Sequence, residues 1–164
     1  MAKVIYSFGN DISTDIIYPG RFMATVLPTE TPQFCFADNE ELNTLLNSKN
    51  YPEGSVIAGG KNFGCGSSRE QAVSTLKGHG LTIIAKHFAR IFLQNSINLG
   101  LQTIMSPDFE AVTGDELEIL HDKIINKTSG KEYIVIPHPE AKQKIIDAGG
   151  LIPYTRAKLL ENLK

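Results

Sequence analysis

The stretch from Ser55 to Met105 constrains the fold more than any other. It sets three short apolar runs, Ser55-Val56-Ile57-Ala58-Gly59-Gly60, Leu81-Thr82-Ile83-Ile84-Ala85 and Leu101-Gln102-Thr103-Ile104-Met105, around two segments with helical patterning, Arg69–Leu76 and Phe88–Asn95. Runs this short and this apolar suit strands buried on both faces, and a helix between consecutive strands returns the chain in the same direction. A βαβαβ unit with parallel pairing is implied.

The flanks extend that frame. Val4–Phe8 reads as a strand closed by the turn signal Gly9-Asn10-Asp11, and Ser13–Gly20 as a loop rich in side-chain oxygens, broken at Pro19-Gly20. Leu42, Leu45 and Leu46 recur at helical spacing behind the acids Glu40 and Glu41, which predicts a helix near 38–48. Beyond Met105, Glu116–Leu120 and Glu132–Ile136 alternate like hairpin strands, with Thr128-Ser129-Gly130 as a turn between Ile125 and Lys131. Pro139–Leu163 is helical in pattern and interrupted at Gly149-Gly150. The expectation is an α/β fold with a parallel core and antiparallel additions, in one domain over residues 1–164, a length able to bury one core.

Composition removes several classes of function. With 41% hydrophobic and 21% charged residues the chain is ordinary globular material. A net charge of -2 provides no field to gather nucleic acid or anionic lipid, so neither is an expected partner. No apolar run approaches the ~20 residues of a membrane span, and Met1–Tyr6 passes straight into a strand pattern, so a cytoplasmic setting is expected. Cys35 and Cys65 fit neither a disulfide framework nor a metal spacing, and His79, His87, His121 and His138 show no ligand spacing. No metal is assigned to this chain.

The stretch that carries chemistry is Gly59-Gly60-Lys61-Asn62-Phe63-Gly64-Cys65-Gly66-Ser67-Ser68-Arg69-Glu70, which joins a strand end to a helix start. Glycines let backbone N–H groups approach a ligand, the helix N-terminus favours negative charge, and Arg69 can grip a carboxylate with a two-pronged fork. The other use of the same residues is structural, with Ser67 and Ser68 capping the helix and Glu70 in its first turn. Known phosphate patterns fit poorly: there is no Gly-Lys-Ser/Thr ending and no third glycine of a dinucleotide fingerprint. A hydrolase elbow is also excluded, because Arg69 stands where a glycine should follow Ser67.

Asn62-Phe-Gly-Cys-Gly-Ser-Ser-Arg-Glu70 resembles the signature loop of aconitase-type swivel domains. A second block, Gly9–Ile17 with Pro19-Gly20-Arg21, resembles the opening loop of the family's small subunits, D-x-x-T-D-x-I-x-P, and Ala89-Arg90-Ile91-Phe92 with Asn95, Asn98 and Gly100-Leu101 resembles the helix and strand that follow. The likeness is close over residues 4–105 and looser beyond. It implies an aconitase-type swivelling domain, three-layer β/β/α, and a hydro-lyase that removes and restores water on a hydroxy di- or tricarboxylic acid. It also implies a large subunit as partner, in a heterodimer or heterotetramer. That subunit is expected to carry a [4Fe-4S] cluster, with no cofactor bound by this chain.

Residue roles follow from the same resemblance. Ser67 is the expected catalytic base, acting as an alkoxide stabilised by the helix N-terminus, neighbouring N–H groups and a guanidinium. Ser68 and Arg69 are expected to hold substrate carboxylate. Thr14 and Asp15 match family positions on the active-site face, Asp15 either orienting a histidine of the large subunit or serving as an Asx-turn or helix cap. Arg21 is either a further carboxylate ligand or a solvated loop residue. Phe22, Met23, Ala24 and Thr25 occupy the stretch where family members differ by substrate, and Ala24 adds no charge there. The expected substrate is 3-isopropylmalate, isomerised to 2-isopropylmalate as in leucine biosynthesis. Dimethylmalate and homoaconitate are rivals, and a small-acid-binding module without chemistry is the reading from another class. Cys65 is given no nucleophilic role.

Overall fold

The structure, a computed structural model, describes residues 1–162, so the Leu163 end of the expected C-terminal helix lies outside the described residues. Strand β1 (Ala2–Ser7) leads into a single-turn helix α1 (Thr14–Ile17), followed by short 3-10 turns at Gly20–Phe22 and Thr31–Phe34. Helix α2 (Glu40–Ser48) is capped by Asn39, whose side-chain oxygen accepts the Leu42 N–H. The predicted alternation then appears as β2 (Val56–Gly59), α3 (Glu70–Gly78), β3 (Thr82–Ala85), α4 (Arg90–Leu99) and β4 (Gln102–Met105). Strands β5 (Glu116–Ile119), β6 (Lys123–Asn126) and β7 (Glu132–Ile134) come next, and helices α5 (Glu140–Asp147) and α6 (Leu151–Glu161) close the described chain. The break between those helices falls at Gly149-Gly150, as the sequence indicates.

The strands form one seven-stranded sheet in the order β4-β3-β2-β1-β5-β6-β7. Pairing is parallel from β1 to β4 and antiparallel from β1 through β5, β6 and β7. Successive strand side chains point to opposite faces, and here both faces are buried. Ile5, Ile57, Ile83 and Ala85 pack with Leu42, Leu46, Val73, Leu76 and Phe92 of the helices. Their neighbours Val4, Val56, Ala58 and Ile84 pack instead with Phe109, Leu117, Ile124, Tyr133 and Val135. The antiparallel half therefore curls across the face that the helices leave uncovered, giving the three β/β/α layers. Among the described residues no helix is long and apolar enough to cross a membrane.

Two features depart from the sequence expectation. The anticipated hairpin is a three-stranded meander, because Lys123–Asn126 pairs with both β5 and β7. Four residues with Lys and Asn at their ends carry too little alternation to announce a strand. The sheet also meets itself: Met105 at the end of β4 forms an antiparallel bridge with Ile136, just beyond β7. The loops that leave the C-terminal ends of β1, β2 and β3 gather at one edge of the parallel half, where open α/β sheets place their binding sites.

Candidate functional site

The loop after β2 is held on both sides by backbone. Toward the β1 loop, Gly60 N–H donates to Gly9 O (2.9 Å), Gly64 N–H to Ile12 O (2.7 Å) and Thr14 N–H to Cys65 O (2.8 Å). Toward the β3 loop, Phe63 N–H donates to His87 O (3.0 Å) and Ala89 N–H to Phe63 O (2.9 Å). Side chains add to this: Asn10 Oδ1 accepts the Lys61 N–H at 2.8 Å, and Asn62 Nδ2 donates to Asp11 Oδ1 at 2.8 Å. Approach this close needs glycine, since a Cβ on Gly60 would sit 2.9 Å from Gly9 O. Two distant segments thus fix the backbone that presents Ser67.

Ser67 and Ser68 are exposed and stand ahead of α3, whose N-cap is Arg69 with no side-chain capping bond. The capping role left open for the two serines is not what the structure shows. Ser67 O accepts the Arg69 N–H (2.8 Å) and the Thr14 hydroxyl (2.9 Å). Thr14 is 1% exposed, so its hydroxyl serves the Ser67 backbone instead of facing a ligand. Asn95 on α4 lies at 3.5 Å from Ser68 O through its side-chain amide.

Arg69 has a side chain only 14% exposed. Its Nη1 donates to the Asp15 carboxylate and, at 3.3 Å, to Tyr18 O. Its Nε is buried without a partner among the described residues, which leaves one donor edge of the guanidinium unsatisfied. Asp15 does not cap α1; Ser13 does, accepting the Ile16 N–H at 3.3 Å. Within this chain Asp15 pairs with Arg69.

Arg21 is drawn elsewhere. Its guanidinium makes two bonds to Asp38 (2.6 and 3.2 Å) and lies 4.5 Å from the centroid of the Phe22 ring. The hydrogen bond to Asp38 raises the Arg21 pKa, and the same bond lowers that of the carboxylate. The structure therefore brings Ser67, Ser68, Arg69, Thr14 and Asp15 together and leaves Arg21 in a separate pair. The stretch Phe22–Thr25 adjoins the group: Gln71 Nε2 reaches Met23 O at 3.4 Å, and Phe22 stacks on Phe34 with ring centroids 4.1 Å apart. Tyr18, Gln71 and Asn95 belong to the site's scaffold without having been expected there. Gln71 and Asn95 each act on a backbone carbonyl supplied by another segment, and Tyr18 supplies its carbonyl to Arg69, contacts that no local pattern in the sequence announces.

A cleft of about 240 Å³ opens beside the glycine loop, lined by Gly9, Asn10, Gly60, Lys86 and Glu110. The larger cleft, about 650 Å³, lies at the β4–Ile136 seam with Thr103, His121 and His138 in its wall. The described residues do not fit an iron–sulfur cluster. Among the described residues no three His, Cys, Asp or Glu side chains converge. Cys35 is fully buried, and desolvation pushes its thiol up to about 12, whereas thiolate is the ligand form.

Residues 12–108 match the Aconitase C-terminal domain family. Over 159 residues the chain is 43% identical to the 3-isopropylmalate dehydratase small subunit of Moorella thermoacetica, covering 94% of this chain and 93% of that protein. It is 42% identical to the isopropylmalate/citramalate isomerase small subunit of Methanocaldococcus jannaschii, covering 96% and 95%. The crystal structure of 3-isopropylmalate dehydratase from the same archaeon superposes with a TM-score of 0.87 at 38% identity, over 98% of this chain and 95% of that one. On a family match that spans more than half of its length, and on relatives this similar from end to end, the chain belongs to the Aconitase C-terminal domain family.

Proposed function

We propose that the chain is the base-bearing small subunit of a hydro-lyase that interconverts 3-isopropylmalate and 2-isopropylmalate, working only with a large subunit. The observation that carries this is an exposed Ser67, free of capping duty, two residues before an Arg69 that Asp15 fixes and whose Nε has no partner among the described residues. Arg69, held in place by Asp15, is the cation at the start of α3 with which a substrate carboxylate would pair. With the carboxylate held, Ser67 as alkoxide takes the proton from the carbon beside it, the C–O bond on the neighbouring carbon breaks as the double bond forms, and the hydroxide leaves toward the large subunit, where a proton donor of that subunit would release it as water. In the return direction the Ser67 hydroxyl gives the proton back. Position ahead of the α3 N-terminus supports the charged form of Ser67. The reading assigns the [4Fe-4S] cluster to the large subunit and asks no residue of this chain to hold it. Exposed Ile16, Met23, Val26 and Leu27 next to these loops suit a face that a large subunit covers, in a heterodimer or heterotetramer.

The test is anaerobic reconstitution with a cluster-bearing large subunit, following hydration of isopropylmaleate by ultraviolet absorbance. Ser67→Ala is expected to lower kcat by ~10²–10⁴-fold, the usual contribution of a positioned base, with KM little changed. Full activity in Ser67→Ala would remove Ser67 from the role of base. Turnover of dimethylmaleate or homoaconitate alone would move the substrate and keep the chemistry, and no turnover with any large subunit would favour the binding module. A second substrate, citramalate, is suggested by the Methanocaldococcus jannaschii relative, whose name carries both acids. Methylmaleate in the same assay decides that point.

A further inference from the structure

We infer that Tyr18 is a positioning residue for substrate discrimination: its hydroxyl, shared between the carbonyls of Phe22 and Thr25, fixes the loop that meets the alkyl group of the acid. The inference rests on the hydro-lyase reading above and adds to it a residue that touches no substrate. Tyr18 is 0% exposed, and its hydroxyl lies 3.1 Å from Phe22 O and 3.2 Å from Thr25 O. One proton thereby gathers two ends of a four-residue loop that has no regular secondary structure after Met23. The Thr25 N–H also donates to Phe22 O (2.9 Å), so the turn closes around the phenol. Burial raises the Tyr18 pKa, with the Thr25 contact working in the opposite sense, and the group remains a protonated donor.

The same residue reaches the anion group from its other side. Tyr18 O accepts from Arg69 Nη1 at 3.3 Å, and a Cβ on Gly20 would stand 3.3 Å from Arg69 Nη2. Gln71, in the first turn of α3 just after Arg69, ties Met23 O to that helix. The exposed side chains of Met23 and Ala24 are thus set relative to the guanidinium through Tyr18 and Gln71, not through packing of their own. Discrimination between an isopropyl and a methyl substituent depends on how tightly such a surface closes, at ~10-fold or more per group of this size. The ring's edge contact with Phe34 is open to phenylalanine as well, so what tyrosine adds here is the hydroxyl and its two carbonyl partners.

Tyr18→Phe isolates the hydroxyl, because the ring and its edge contact with Phe34 persist. In hydrogen–deuterium exchange on the full chain, the amides of Met23–Val26 are expected to exchange ~10-fold faster, with Glu70–Leu76 unchanged, since losing one such bond frees a local segment. Unchanged exchange in the loop would overturn the inference even if the reconstituted enzyme proved inactive on every acid. In the active complex, the ratio of kcat/KM for isopropylmaleate over methylmaleate is expected to shift about tenfold through KM, with kcat for the preferred acid within about threefold. An equal fall for both acids would mark a merely structural role and overturn it. A wild-type complex inactive on all alkylmaleates would instead defeat the hydro-lyase reading, and the exchange result would still decide whether Tyr18 holds the loop.

Discussion

At Gly64 a backbone requirement and a packing requirement fall on one residue. Its φ of +81° lies in the left-handed region, and a Cβ there would stand 2.1 Å from the Phe92 ring. Gly64→Ala is expected to cost roughly 2–4 kcal/mol from backbone strain and overpacking together, seen as a lower denaturant midpoint. A midpoint equal to wild type would mean that Phe92 does not press on the loop. The glycine loop and its arginine were readable as an anion site because a strand, a glycine loop and a helix follow one another locally, whereas the role of base for Ser67 came from the family resemblance alone. Thr14 and Arg21 were not readable in this way: the Thr14 hydroxyl acts on a residue 53 positions away, and Arg21 on one 17 away. Only the folded chain selects such partners.

Among the elements, α3 shows how a helix carries a site at one end and an anchor at the other. Its C-cap is His79, 7% exposed, whose Nε2 donates to Pro32 O at 2.9 Å while the Tyr51 hydroxyl lies 3.2 Å from Nδ1. Desolvation lowers the His79 pKa below 6.5, the Pro32 bond opposes this, and Lys49 adds to it. The unfolded chain therefore binds the proton more readily, and stability rises with pH in that window. The contribution is complete above pH 6.5 and is lost as pH falls through the folded value. Denaturant midpoints of wild type between pH 7.5 and 5.5 should fall, and His79→Gln should show a shallower decline; parallel curves would exclude His79 as the cause. Element identity was largely readable from periodicity, whereas ends moved. Helix α4 runs on to Leu99, past the expected Asn95, because it is Gly100, with φ of +73°, that supplies the left-handed C-cap.

For the molecule as a whole, closure of the sheet is the feature that unites the two halves. Ile136 N–H donates to Met105 O (2.8 Å), and the Ser106 hydroxyl, fully buried, donates to Ile134 O (2.8 Å). Ser106→Ala is expected to cost about 1–3 kcal/mol and to speed amide exchange in β7 while β2 and β3 stay protected. Equal protection of β7 would show that the backbone bridge alone holds the seam. The sequence by itself determined the parallel core and the location of the glycine loop, because apolar runs, helical spacing and glycine placement are local and act within a few residues. Only the tertiary structure decided that the antiparallel half curls over the core and that Asp15 and Tyr18 share Arg69. It alone also placed the Tyr18 hydroxyl over the loop from Phe22 to Thr25. The first two depend on burying one segment against another far along the chain and the third on folding a loop back over a ring four to seven residues before it, and a buried polar group takes whichever partner the packing brings within reach.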